Sequence, residues 1–164
     1  MAERYKSALI ITGLVTFIAA YHYLRIFNSW VEAYEFTEKG EIALTGVPFN
    51  DAYRYMDWLL TVPLLLTELV LVMKLDPDET FSKCVSLGSA AALMIILGYP
   101  GEAVLDENNL GTRWVYWFAA MVPFLYIVYT LLIGLADATN SESDPKIRRL
   151  IRYAQYATIV SWCT

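Results

Sequence analysis

The sequence predicts an all-α membrane protein, and three observations carry that prediction. Of the 164 residues, 57% are hydrophobic and only 18% are charged, against about 45–50% and about 25% in soluble domains. Four stretches, roughly Ser7–Phe27, Tyr53–Met73, Phe81–Tyr99 and Trp114–Ala136, approach the ~20 mostly apolar residues that a helix needs to cross the hydrocarbon. The segments between them are polar or carry turn formers. The length suits one domain, taken as residues 1–164.

The first run starts within a few residues of Met1, but it is as long as a span and no small-residue cleavage site follows it, so it is not read as a signal peptide. After it comes "WVEAYEFTEKGEIALTGVPFN", with two strand-like pieces around Lys39-Gly40. This predicts a β-hairpin on the membrane surface at about residues 30–50. "KLDPDETFSK", with Pro77, reads as a short loop, and "YPGEAVLDENNLGTR" as another. "DATNSESDPKIRRLIR" reads as a polar linker and a basic helix start. A fifth apolar stretch, 150–164, is too short to cross and is expected to be an incomplete span.

Basic residues set the orientation. Arg4 and Lys6 precede the first span, and the second and fourth connections carry Lys74, Lys83, Lys146, Arg148, Arg149 and Arg152. The first and third connections offer only Lys39 and Arg113. The N-terminus of the chain is therefore expected to be cytoplasmic and the hairpin extracellular. A net charge of −5 without a basic stripe argues against nucleic acid as a partner. Cys84 and Cys163 match no metal or redox spacing, and no metal site is expected.

The second span, "YRYMDWLLTVPLLLTELVLVMKL", holds the chemistry. At about 100° per residue, with Asp57 at zero, Thr61 lies near ~40°, Glu68 near ~20° and Arg54 near ~60°, all on one stripe. Glu68 stands roughly 16 Å along the axis from Asp57. Ionisable groups in a span cost several kcal/mol, face the protein interior and mark ion or proton paths. A single carboxylate is equally well a structural hydrogen-bonding group. Two on one face, with an arginine at the outer end, suit a proton relay, Arg54 helping to keep Asp57 ionised. His22, the only histidine, is either a satisfied core residue or a pH-dependent partner for Asp57. Trp58, Trp117, Phe118, Tyr126 and Trp162 are singly core or interfacial anchors, and together the lining of a long apolar pocket.

"RYMDWLLTVPLLLTE" resembles the third helix of microbial rhodopsins of the proteorhodopsin and xanthorhodopsin branch. "AYHYLRIFNSW" is similar to that branch's second helix, "LMIILGYPGE" to its fourth and "PFLYIVY" to its fifth, while "SWCT" looks like the opening of its sixth. The resemblance covers nearly the whole chain. It implies a seven-transmembrane-helix bundle in a bacterial inner membrane, holding retinal as a protonated Schiff base. The chain would supply helices two to five and the start of six, and is expected to be a fragment lacking the first helix, most of the sixth and the seventh. The resemblance implies a light-driven outward proton pump rather than an enzyme, and a homo-oligomer of the whole protein. Asp57 would be counterion and proton acceptor, Thr61 the middle of the Asp–Thr–Glu triplet, Glu68 the proton donor, Arg54 the exit-side arginine and His22 the acceptor's hydrogen-bonding partner. Trp58, Met94, Gly98 and Trp162 would contact retinal. Leu65 stands where leucine goes with green absorption.

Two departures qualify the resemblance. Members with a carotenoid antenna carry glycine at the position of Trp117, so no such antenna is expected here. The retinal lysine belongs to the seventh helix, whereas Lys6, Lys39, Lys74, Lys83 and Lys146 are read as lying at helix ends or in loops. The covalent lysine is thus expected outside this chain, which alone would be inactive. A sensory photoreceptor signalling through a membrane partner is the alternative on the same fold, disfavoured by a carboxylate at Glu68. A transporter without retinal is a further class, and a parent whose last apolar span lacked a lysine would favour it.

Overall fold

The computed structural model describes residues 3–73, 75–105 and 108–163, with side chains from Lys6 to Trp162. Lys74 and the side chains of Arg4 and Cys163, which entered the sequence reading, lie outside the described residues. Helix α1 runs Glu3–Ala33, α2 Ala52–Val72, α3 Pro77–Tyr99, α4 Leu110–Tyr129, α5 Ala136–Ser141 and α6 Pro145–Cys163. Four helical stretches, Lys6–Ala33, Ala52–Val72, Pro77–Val104 and Leu110–Ser141, are long and apolar enough to cross a membrane. The chain is a multi-pass membrane protein. Large apolar side chains such as Phe17, Val122 and Leu125 point outward from the bundle, as lipid-facing positions do.

Each expected span exists. The helical stretches Glu3–Ala33, Pro77–Val104 and Leu110–Ser141 overrun their apolar runs, because hydropathy marks the hydrocarbon and not the end of hydrogen bonding, whereas α2 keeps nearly the expected bounds. The largest overrun is at α1, which continues through "NSWVEA" to Ala33. The hairpin is accordingly shorter than residues 30–50. β1 (Tyr34–Phe36) pairs antiparallel with β2 (Ile42–Leu44), Tyr34 opposite Leu44. The turn falls where Lys39-Gly40 predicted it. Thr37 N–H donates to Glu41 O and Gly40 N–H to Thr37 O, both at 2.8 Å. Gly40 has φ of 77°, a left-handed conformation glycine takes without strain. The Thr45 hydroxyl donates to Glu32 O at 2.6 Å and ties the hairpin to the end of α1.

Two segments read as loops are partly helical. Pro77 opens α3 rather than breaking a loop, with Asp78 and Glu79 in the first turn, where proline lacks no needed donor and acids face the positive end of the helix. Lys83 therefore lies inside a span. After Tyr99 the helix continues as a π-turn over Pro100–Val104. Pro100 has no N–H to continue the α-ladder, and Leu105 N–H reaches Pro100 O at 3.1 Å instead. A second π-turn, Thr130–Gly134, joins α4 to α5.

Consecutive helices pack in chain order, α1 on α2, α2 on α3, α3 on α4, and α6 returns against α2 and the second π-turn. The core lies where they meet, around Leu66, Val70, Leu87, Ile127, Leu131 and Ile151. Asp57 and Thr61 are buried on the same helix as Leu66 and Val70.

Candidate functional site

The polar stripe of α2 divides into three environments. Asp57 is buried, at 4% exposure, and its Oδ1 accepts no hydrogen bond from the described residues. His22, on α1, brings its Nδ1 to 3.8 Å of that oxygen. This is an ion-pair approach but too long for a hydrogen bond. The reason is local: Nδ1 donates to the Ile18 carbonyl of its own helix at 2.9 Å, so the expected His22–Asp57 hydrogen bond is not formed. Thr61 is buried as well, and its hydroxyl donates to the backbone carbonyl of Asp57 at 2.8 Å. It holds the turn that carries the carboxylate. A buried carboxylate oxygen left unsatisfied is costly and suits a site that takes a cation or a proton.

Arg54 does not serve Asp57. Its guanidinium turns away, 3.3 Å from Asp51 and 3.9 Å from Glu102. A long side chain near a helix end reaches toward the polar boundary, whichever helical face its Cα occupies. Glu102 also accepts a hydrogen bond from the Tyr55 hydroxyl, and Arg113 Nε donates to Gly101 O at 2.8 Å. One end of α2 thus carries a cluster of Asp51, Arg54, Tyr55 and Glu102, built on the first π-turn.

Glu68, towards the other end, has no partner on α2 but does have one on α1. The Thr12 hydroxyl donates to Glu68 Oε1 at 2.6 Å. Thr12 carried no sequence signal, since one threonine in an apolar helix is unremarkable and only the packing of α1 on α2 aligns it. Glu68 also lines a cleft of about 490 Å³ against α6, with Leu65, Leu69, Thr158 and Trp162.

Beside this lies an apolar cleft of about 430 Å³, lined by Trp58, Val62, Met94, Ile95, Phe124, Ser161 and Trp162. It draws on α2, α3, α4 and α6, and Trp162 is shared between the two clefts. Trp58, Met94 and Trp162, which the resemblance assigns to retinal, line one cleft, whereas Trp117, Phe118 and Tyr126, read with Trp58 and Trp162 as one pocket, do not line it. Phe124 and Val62 were not anticipated. Leu65 lines the Glu68 cleft instead. Gly98, one turn from Met94, lines a third cleft of about 380 Å³ with Tyr55, Glu102, Arg113 and Trp117. Trp117 packs edge-on against Trp114 and Phe118, with ring centroids 5.4 and 5.0 Å away.

The full chain, residues 1–164, matches the family model described as bacteriorhodopsin-like protein. A green-light absorbing proteorhodopsin from Gamma-proteobacterium EBAC31A08 is 27% identical over 162 residues, which cover 99% of this chain and 58% of that protein. Bacteriorhodopsin from Halobacterium salinarum is 33% identical over 125 residues, covering 73% of this chain and 45% of that protein. Among solved structures, xanthorhodopsin, described as a light-driven ion pump with dual chromophore, superposes with a TM-score of 0.90 at 43% identity, covering 98% of this chain and 63% of that one. A thermophilic rhodopsin gives a TM-score of 0.89 at 43% identity, with the same coverage. Four membrane-length helices with an antiparallel hairpin, matched in sequence along their full length and in fold, lead to one assignment: the chain belongs to the bacteriorhodopsin-like family of microbial rhodopsins, on the proteorhodopsin and xanthorhodopsin branch.

Proposed function

We propose that the whole protein, whose matched proteorhodopsin is spanned to 58% of its length by this chain, is a retinal-dependent, light-driven outward proton pump of a bacterial inner membrane. The observation that carries this reading is the buried Asp57 carboxylate with an unsatisfied oxygen, on the same helix as Glu68. One carboxylate able to take a proton and another able to give one, separated along the membrane normal, are the minimum a vectorial relay needs.

The residues present fit retinal. The cleft lined by Trp58, Met94, Phe124 and Trp162 is apolar and aromatic, as an elongated polyene requires. The neighbouring residue of the chain, Asp57, offers the orphaned oxygen that a cationic end would need. When bound, retinal supplies light-driven isomerisation and an exchangeable proton. Its covalent lysine is assigned to a part of the protein beyond this chain.

The chain's own residues would then divide the work. Asp57 takes and holds a proton at its carboxylate, with Thr61 fixing the turn beneath it and His22 placing a titratable ring 3.8 Å away. Glu68, held by Thr12, gives up its proton from the side assigned to the cytoplasm and regains one there. Arg54 stands at the exit. Trp58, Met94, Trp162 and Gly98 shape the retinal site, and Leu65 assigns green absorption. The basic-residue asymmetry puts the N-terminus of the chain in the cytoplasm. The whole protein is expected to be homo-oligomeric.

Cells expressing the whole protein should acidify their medium under illumination, and a protonophore should abolish the signal. Asp57→Asn should abolish pumping. Undiminished acidification by that variant would refute the assignment.

A further inference from the structure

Tyr55 ties the cluster at the start of α2 to the wall of the apolar cleft. It lies three residues before Trp58 and is buried, at 7% exposure. Its ring packs on two others, with centroids 5.3 Å away at Trp58 and 5.0 Å away at Tyr99, the last residue of α3. Its Cε1 stands 3.9 Å from the point a Cβ would occupy on Gly98. The hydroxyl at the far end of the ring donates to Glu102 Oε2, on the first π-turn. The other carboxylate oxygen, Oε1, faces Arg54 at 3.9 Å, too long for a hydrogen bond, and Asp51 stands nearer that guanidinium, at 3.3 Å.

Side chains three apart on one helix are neighbours, so Tyr55 and Trp58 meet whatever surrounds them. Their spacing does not fix which way either ring turns. Tyr99 and Glu102 do, from α3 and the turn that follows it, because one packs on the ring and the other holds its hydroxyl. Trp58 in turn lines the cleft that fits retinal and follows Asp57 in the chain. Ile95 gives a second route to that cleft, since it also lines a cavity of about 210 Å³ together with Tyr55 and Tyr99. We propose that Tyr55 is a positioning residue of the retinal site. Its hydroxyl, anchored on Glu102, fixes its ring, and the ring fixes the Trp58 indole that forms the cleft wall. Glu102 serves this link as a hydrogen-bond acceptor, and its charge is not required. The inference rests on the retinal reading of the cleft and is independent of the direction of pumping.

The test is the visible absorption maximum of the whole protein reconstituted with retinal. Protein groups beside a cofactor tune its electronics, so a displaced indole moves the band. Tyr55→Phe keeps the ring and removes the donor, and Glu102→Ala removes the acceptor. Both should shift the maximum to the same position, and the double variant should shift it no further, as the two ends of one link do. Glu102→Gln keeps an acceptor oxygen without the charge and should absorb as the wild type does. A wild-type maximum in Tyr55→Phe, additive shifts in the double variant, or equal maxima in Glu102→Gln and Glu102→Ala would each overturn the proposal. Should Tyr55→Phe fail to fold, the two Glu102 variants decide alone, because that side chain is 57% exposed. A shift in Glu102→Ala only supports the link, and equal maxima overturn it. A wild type that forms no visible band with retinal would instead refute the retinal reading, and the inference with it.

Discussion

At the scale of single residues, charge type was legible and partnership was not. The stripe of Arg54, Asp57, Thr61 and Glu68 follows from 3.6 residues per turn, and Asp57 and Thr61 are buried together as that periodicity requires. The periodicity says nothing about where a long side chain ends. Arg54 shares the stripe by its Cα and leaves it by its guanidinium, pairing with Asp51 and Glu102. Nor could it show that His22 spends its Nδ1 proton on Ile18, or that Thr12 meets Glu68 across 56 residues of chain. The Thr12 bond leads to a prediction. A carboxylic donor is expected to contribute 10²–10⁴-fold to proton transfer, as general acids do, so Glu68→Gln should slow recovery of the ground state after a flash by about a hundredfold. Thr12→Val removes one donor that supports the carboxylate after it has given up its proton. It should slow the same phase by about fivefold, the worth of one hydrogen bond of ~1 kcal/mol. Flash photolysis of the whole protein measures both. Equal rates in Thr12→Val and wild type would separate the hydrogen bond from the transfer.

Secondary elements were largely legible, and their ends were not. The four spans and the hairpin are where apolar run length and the Lys39-Gly40 turn predicted them. The segments around Pro77 and Pro100 were misread for one reason. Proline signals a break in the α-ladder, but the same missing N–H is harmless at the first turn of a helix and convertible to a π-turn at its end. The first π-turn also explains a glycine. A Cβ on Gly101 would stand 2.9 Å from Tyr116 Cβ and 3.4 Å from Arg113 O, atoms on or next to the backbone of α4 that cannot swing away. Gly101→Ala should therefore destabilise the protein by about 1–3 kcal/mol, as overpacking does. At Gly134 the nearest atoms are at 3.6 Å or more. Gly134→Ala should be neutral or stabilising, within ~1 kcal/mol. Unfolding of the two variants side by side in one detergent decides the matter, and equal losses would reject the close-approach explanation.

At the scale of the whole molecule the clefts are what matters, and the long apolar pocket expected from five aromatic residues keeps only Trp58 and Trp162 of them. Trp58, Met94, Phe124 and Trp162 come from four helices and meet in one apolar space. The resemblance named three of them. Phe124 escaped because "PFLYIVY" offers several apolar side chains and only packing selects the inward one. The third cleft contains Trp117, on which the expected absence of a carotenoid antenna rests. Trp117 lines it and packs against Trp114 and Phe118, so a bulky indole occupies the position read as the antenna slot. Adding a ketocarotenoid to the whole protein should give no energy transfer to retinal in the fluorescence excitation spectrum. A carotenoid band in that spectrum would show that the tryptophan leaves room.

By itself, then, the sequence determined that the chain lies in a membrane, how many long helices it forms, where the hairpin turns, and that Asp57 and Glu68 share a helical face. These are local properties, set by hydropathy, turn chemistry and the pitch of one helix. The tertiary structure alone decided which partners those residues meet: Thr12 for Glu68, Glu102 for Arg54, and for Asp57 an oxygen without a donor among the described residues. Such pairings depend on how separate helices rotate and slide against one another, and that is settled by side-chain packing between elements far apart in the chain.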